Sequence, residues 1–256
     1  MILSNRKLCR PISSRRDGLI LALAVFVALA PPSRGHAGAG AADPSGHWEG
    51  SIHAPSQDVV VAVDLAVDKA GKLSGTFSND GEHINGFPFA SASLEGSAVR
   101  LEIRTGGSPA ETFAGNVAAD GKSMSGDFLV GIYSVPFELK RTGDAKFAPA
   151  PKNPAIDAAL VGEWNASLDL QGKALPFALK LANRVDGTSV GSWAAGDGTA
   201  TPVAIAAQQR GVTLTSTVTA AVFAGTLSAD GKELAGNFTE GALKQAVTFK
   251  RAAAAR

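Results

Sequence analysis

Part of this chain is written twice. Residues 113–128, Phe-Ala-Gly-Asn-Val-Ala-Ala-Asp-Gly-Lys-Ser-Met-Ser-Gly-Asp-Phe, return at 223–238 as Phe-Ala-Gly-Thr-Leu-Ser-Ala-Asp-Gly-Lys-Glu-Leu-Ala-Gly-Asn-Phe. The offset is 110 without a gap, and nine of the sixteen positions are identical. Such a chain must build one structural unit two times over. The match extends outward in both directions. Gly46-His47-Trp48 opens the first copy and Gly162-Glu163-Trp164 the second, while Phe137 to Arg141 closes the first and Val247 to Arg251 the second. This places one domain over residues 44–142 and another over 160–252. Between them, 143–159 carries Pro149, Pro151 and Pro154 among Ala, Lys and Asp, the composition of a partly stiff linker.

The unit itself is made of strands. Val59, Val61, Val63, Leu65 and Val67 alternate with small or polar residues, as do Leu175, Phe177, Leu179 and Leu181. A period of two with one large apolar face marks a half-buried strand. Asp120-Gly121 and Asp230-Gly231 are hairpin signals of the type I′ kind. Only Ala155 to Val161 offers a turn or two of helix after residue 42. About eight short strands per copy can close on themselves and remove their exposed edges. The expected fold class is therefore all-β: a signal peptide, then two tandem small antiparallel up-and-down β-barrels. On the last strand of each copy an arginine shares the apolar face, and on the first strand a tryptophan does. Trp48 with Arg141, and Trp164 with Arg251, are expected to stack where each barrel closes.

Gly-x-Trp on a first strand with a basic residue on the last is similar to the calycin pattern of lipocalins, fatty-acid-binding proteins and avidins. The whole unit more closely resembles a β-rich module found ahead of the α/β-hydrolase domain in exported bacterial esterases and peptidases. Trp48-Glu-Gly50-Ser-Ile52, Gly86-Phe87-Pro88, Asp120-Gly-Lys122 and Lys140-Arg141 carry that resemblance, and Trp164-Asn-Ala166-Ser-Leu168 with Thr201-Pro202-Val203 repeats it. It covers nearly all of the chain after the signal peptide. No hydrolase domain follows the second copy in this sequence, so the resemblance implies an accessory role and no inherited catalysis.

The N-terminal residues read as an export signal. Arg6, Lys7, Arg10, Arg15 and Arg16 precede the apolar run Leu19 to Ala30, and small residues follow near Ala37. Twelve helical residues rise only ~18 Å, against a ~30 Å hydrocarbon core, so residues 1–37 are expected to be cleaved and not to anchor. Ser14-Arg15-Arg16 also suits a twin-arginine signal. Asp17-Gly18-Leu19 lacks the apolar residues expected after one, which favours the general secretory route. The periplasm or the exterior is the expected location. Cleavage near Ala37 leaves 18 basic against 22 acidic residues, a net charge of −4. Nucleic acid and stable membrane insertion are poor matches to that balance. Cys9 is the single cysteine and lies inside the signal, which excludes disulfides and thiolate chemistry downstream.

Little else carries chemistry. Gly187-Thr188-Ser189-Val190-Gly191 fits the spacing of a nucleophile elbow, but a turn precedes it, a strand follows it, and no histidine comes after His83. No catalytic residue and no cofactor is assigned. His47, His53 and His83, with nearby carboxylates, are weak candidates for a metal site private to the first copy. The alternative is that they are solvent-exposed side chains; His47 and His53 sit on the face opposite Trp48. Inward positions mix large residues with glycines. Leu101, Ile103, Phe113 and Phe128, then Leu214, Phe223 and Phe238, are candidates to line a ligand cavity, or else to fill a core. The expected function is a non-catalytic exported binding or accessory protein. Its partner would be a small apolar ligand or an envelope protein. The alternatives are an inhibitor or partner of a secreted hydrolase, and an enzyme with an unfamiliar site.

Overall fold

The alternation of large apolar and small or polar residues becomes, almost everywhere, alternation of buried and exposed side chains. In the computed structural model, which describes residues 43–106, 108–170 and 172–253, no α-helix forms. The expected signal peptide, residues 1–37, lies outside the described residues. The first copy holds β1 (Gly46–His53), β2 (Asp58–Val67), β3 (Leu73–Asn79), β4 (Ile84–Pro88), β5 (Ser91–Glu95), β6 (Ala98–Ile103), β7 (Glu111–Val117), β8 (Ser123–Val130) and β9 (Tyr133–Gly143), with one 3-10 turn at Asp80–Glu82. The second holds β10 (Asn153–Pro154), β11 (Gly162–Leu170), β12 (Lys173–Asn183), β13 (Thr188–Ala195), β14 (Thr201–Gln208), β15 (Gly211–Ser216), β16 (Val222–Leu227), β17 (Glu233–Glu240) and β18 (Leu243–Arg251). On β12, Leu175, Phe177, Leu179 and Leu181 are buried and their neighbours exposed or partly so.

The second copy closes. Its sheet runs β10-β13-β12-β11-β18-β17-β16-β15-β14, and β13 also pairs with β14, so eight antiparallel strands form a ring. The first copy curls in the order β4-β3-β2-β1-β9-β8-β7-β6-β5 without a ladder joining its ends. The reason is a single residue. Thr76 and Phe77 pair with Pro88 and Phe87, as Ser192 and Trp193 pair with Pro202 and Thr201. Leu101 pairs with Ala92, as Leu214 pairs with Ile205. Pro88 to Ala92 is four steps, whereas Pro202 to Ile205 is three. The extra residue breaks one strand into β4 and β5, in the manner of a bulge. Phe89 N still bonds Gly75 O (3.0 Å) and Ala90 N bonds Glu102 O (2.7 Å), so the chain turns the corner from one edge to the other.

The hairpin turns at Asp120-Gly121 and Asp230-Gly231 are not type I′, which needs two positive φ angles. Only the glycines are positive, at 67° and 68°. Gly121 N bonds Ala118 O and Gly231 N bonds Ser228 O, giving a turn of ordinary hand followed by one left-handed residue. The linker is also more than a tether. Asn153 on β10 donates to Ser189 O and Val203 O and accepts from Ile205 N (2.8 Å), which stitches β13 to β14 where their own ladder ends. Ile156 and Leu160 are buried in the second core. The helix considered at Ala155 to Val161 is a hydrogen-bonded turn, with Leu160 N on Asp157 O.

Each copy has its own apolar core. One residue crosses over: Val218, in the β15–β16 turn of the second copy, is 5 % exposed and belongs to the core of the first. Asn85 N bonds Val218 O at 2.9 Å. The turns β1–β2, β3–β4, β6–β7 and β8–β9 lie at one end of the first sheet. The turns β11–β12, β13–β14, β15–β16 and β17–β18 lie at the corresponding end of the second. Contacts such as Asn85 with Val218 and Thr199 with Arg104 join these ends, so the two copies meet mouth to mouth.

Candidate functional site: a cavity between the two mouths

The far end of each copy is sealed by the pairs expected to close it. Trp48 lies opposite Arg141 and Trp164 opposite Arg251 in the strand register. The guanidinium carbon sits 5.3 Å from the Trp48 ring centre and 4.2 Å from that of Trp164. Both indoles are fully buried. Each donates its Nε1–H to a carbonyl four residues earlier, Pro44 O at 2.9 Å and Leu160 O at 3.1 Å. Gly46 and Gly162 start these strands at φ of 145° and 143°. A side chain there would be strained and would run into the arginine, which accounts for the glycine of Gly-x-Trp. These four residues hold the barrel ends and offer no access.

The histidines do not converge. No group of three metal-capable side chains forms among the described residues. His47 is not exposed, contrary to the expectation for its strand face: it is 7 % exposed. Its Nδ1 meets Asp64 Oδ1 at 2.7 Å and its Nε2 meets Glu49 Oε1 at 3.1 Å. Asp64 also accepts Lys146 N at 2.6 Å, so the segment after β9 folds over this face and covers it. The two carboxylates sit on opposite ring nitrogens and could not share one ion with them. The His47 hydrogen bond, with one from Thr142, holds the Glu49 carboxyl below its ordinary range. His53, partly exposed, meets Asp58 at 3.0 Å. His83 ends the 3-10 turn in a left-handed conformation at the mouth of the first copy. Ser189 of the elbow-like segment is buried and donates to Pro154 O.

Six of the seven proposed lining residues form packed core. Leu101, Phe113, Leu214 and Phe223 are fully buried, and Ile103 and Phe128 nearly so. Phe113 packs against Phe77, Phe128 and Phe137, with ring centres 4.7–5.9 Å apart, so the first copy is filled with aromatic rings. Phe238 alone of the seven lines open space. That space is a cavity of 410 Å³ at the mouth of the second barrel. This is within the ~300–1,000 Å³ usual for small-molecule sites. Its floor is Phe177, Trp193 and Phe238, with ring centres 5.4–5.8 Å apart. Leu168, Leu175 and Leu243 form the walls. The first copy supplies the roof: Glu82, His83, Ile84 and Phe87, with Thr105 and Gly106.

The cavity exists because the copies differ. Thr201 occupies the place that Phe87 occupies in the first copy, and a hydroxyl with a methyl leaves open what a ring would fill. The seam around it is tightly made. Thr199 N donates to Arg104 O at 2.8 Å, and Arg104 Nη1 to Asp197 Oδ2 at 2.8 Å. A Cβ at Gly106 or Gly198 would collide with backbone across the seam. Glu82 and Glu240 are the acidic residues of the lining, which among the described residues contains no lysine or arginine. Behind them, burial first and the charge of Glu82 second push the Glu111 carboxyl up. A hollow of 690 Å³ on the outer faces of β14–β17 is larger but open and shallow.

Phe177, Trp193, Thr199, Thr201, Glu82 and Glu240 carry this site, and sequence reasoning did not single them out as its lining. The one signal was the mismatch between Gly86-Phe87-Pro88 and Thr201-Pro202-Val203 within the repeat.

No family model matches this chain, and no curated protein is significantly similar to it. Two solved structures are similar to it at a low level. One is described as a "putative outer membrane protein" of Bacteroides fragilis NCTC 9343. It is 14 % identical, covers 82 % of this chain and 98 % of its own, and has a TM-score of 0.27. The other, a DUF3598-family protein with unknown function from Nostoc punctiforme PCC 73102, is 16 % identical over 81 % and 96 %, with a TM-score of 0.26. Likeness at that level extends to neither ligand nor activity.

Proposed function

We propose that this chain is a non-catalytic, exported binding protein of the cell envelope that holds a small, mainly apolar molecule at the junction of its two copies. The single observation that supports this reading is the 410 Å³ cavity with its aromatic floor. Export rests on the charged, apolar and small-residue succession of residues 1–37.

Trp193 makes the reading testable, since Trp48 and Trp164 are sealed at the far ends. N-phenyl-1-naphthylamine, an uncharged environment-sensitive probe, is expected to bind saturably at one site and to accept energy from Trp193. Thr201→Phe places in the cavity the ring that the first copy carries. It is expected to weaken the probe at least about tenfold, or 1.4 kcal/mol, with an unchanged circular dichroism spectrum. Absence of saturable binding, or undiminished binding by that variant, overturns the reading.

A further inference from the structure

We infer that the cavity selects organic cations: molecules with an apolar body and an ammonium group, the body against the aromatic floor and the ammonium at the mouth. The inference rests on the binding reading above and adds the chemical class of the ligand.

The observations converge at one level of the cavity. Glu82 of the first copy and Glu240, at the end of β17 in the second, both line the space, so each copy brings an acidic residue to it. Among the described residues, no lysine or arginine lines the space to balance them. The guanidinium at the seam, Arg104, is already engaged by Glu102 and Asp197. An anionic amphiphile would therefore enter against like charge with no cation to meet it. Two threonines supply the second observation. Thr201 is 5 % exposed, and its side chain points inward with Val203 and Ile205. Thr199 Oγ1, at the same end, is buried without a partner among the described residues. A buried hydroxyl without a partner is costly and calls for one, and its oxygen can accept from a donor. An ammonium group carries three donors and no acceptor, so it complements carboxylates and hydroxyl oxygens alike. A neutral alcohol brings one donor and no charge to the carboxylates. A carboxylate would satisfy the threonines' donor protons while facing Glu82 and Glu240.

Three ligands of one skeleton separate these cases. Decylamine, 1-decanol and decanoate, each below its micellar concentration, compete against N-phenyl-1-naphthylamine in mildly alkaline buffer of low ionic strength. Decylamine is expected to displace the probe at a concentration at least about tenfold lower than decanol, with decanoate weakest. In a protein carrying both Glu82→Gln and Glu240→Gln, the amine is expected to lose that advantage. Displacement by the alcohol or the acid at concentrations equal to or below the amine's overturns the inference. So does an amine preference that survives the double substitution. In either case the binding reading stands so long as the uncharged probe binds. Failure of the probe itself to bind removes both.

Discussion

A guanidinium laid over an indole occurs at the same register in both copies, yet its surroundings differ. Arg251 donates to Gly231 O, Val161 O and Ala159 O, while Arg141 donates to Asp43 O and leaves Nε buried without a partner among the described residues. Replacing Arg251 with Met keeps the apolar stem but strands three carbonyls. It is expected to cost about 2–4 kcal/mol in urea unfolding, against about 1 kcal/mol for Arg141→Met. Equal costs would show that stacking, and not the carbonyl cradle, carries the clamp. Glu111 gives a pH dependence. Its folded-state carboxyl is raised by burial and by Glu82, so the protonated form favours the native state. That contribution is complete below the ordinary carboxylate range of ~4.3 and is lost as pH rises through the elevated value. Glu111→Gln should flatten this slope and raise the melting temperature at neutral pH, by less than about 3 °C because the group is partly exposed. A steeper slope in the variant would contradict the assignment. At this scale the closing residues were legible because a period of two puts Trp and Arg on one face. His47 was not, because its cover is the segment around Lys146, which no periodicity marks.

Strands and their order follow from alternation and from hairpin spacing, and both copies are all-β with neighbouring strands paired in sequence. What alternation does not carry is the count between anchor points. One added residue between Pro88 and Ala92 turns a single strand into β4 and β5 and leaves the first sheet curled where the second is closed. The proline-rich composition of 143–159 reads as a spacer, yet Asn153 supplies three hydrogen bonds to the second barrel's weakest pairing. Val218 shows the same limit: it sits in a turn of one copy and in the core of the other. Val218→Ala is expected to cost about 1–2 kcal/mol. Its signature in hydrogen exchange is faster exchange of amides in β3 and β4 of the first copy, Asn85 included. Unchanged protection there would mean that the turn rests on the first core without supporting it.

Neither copy contains the cavity alone. The second gives floor and walls, the first gives the roof, and a reading that treats each repeat as its own barrel has no place to put such a site. The unequal histidines pointed toward the first copy, and one of them, His83, does reach the lining, but the aromatic floor belongs to the second. Sequence similarity between repeats marks what holds each unit together. The places where they depart from each other, Phe87 against Thr201 above all, mark where open space lies between them. Mouth-to-mouth docking has a further result. Because one polypeptide carries both halves of the chamber, joined by the segment after β9 that is pinned at Lys146 and again at Asn153, their encounter is intramolecular. The effective concentration of one half at the other is set by tether length and not by the amount of protein present. In dilute solution, where two separate subunits would drift apart, this chamber stays assembled.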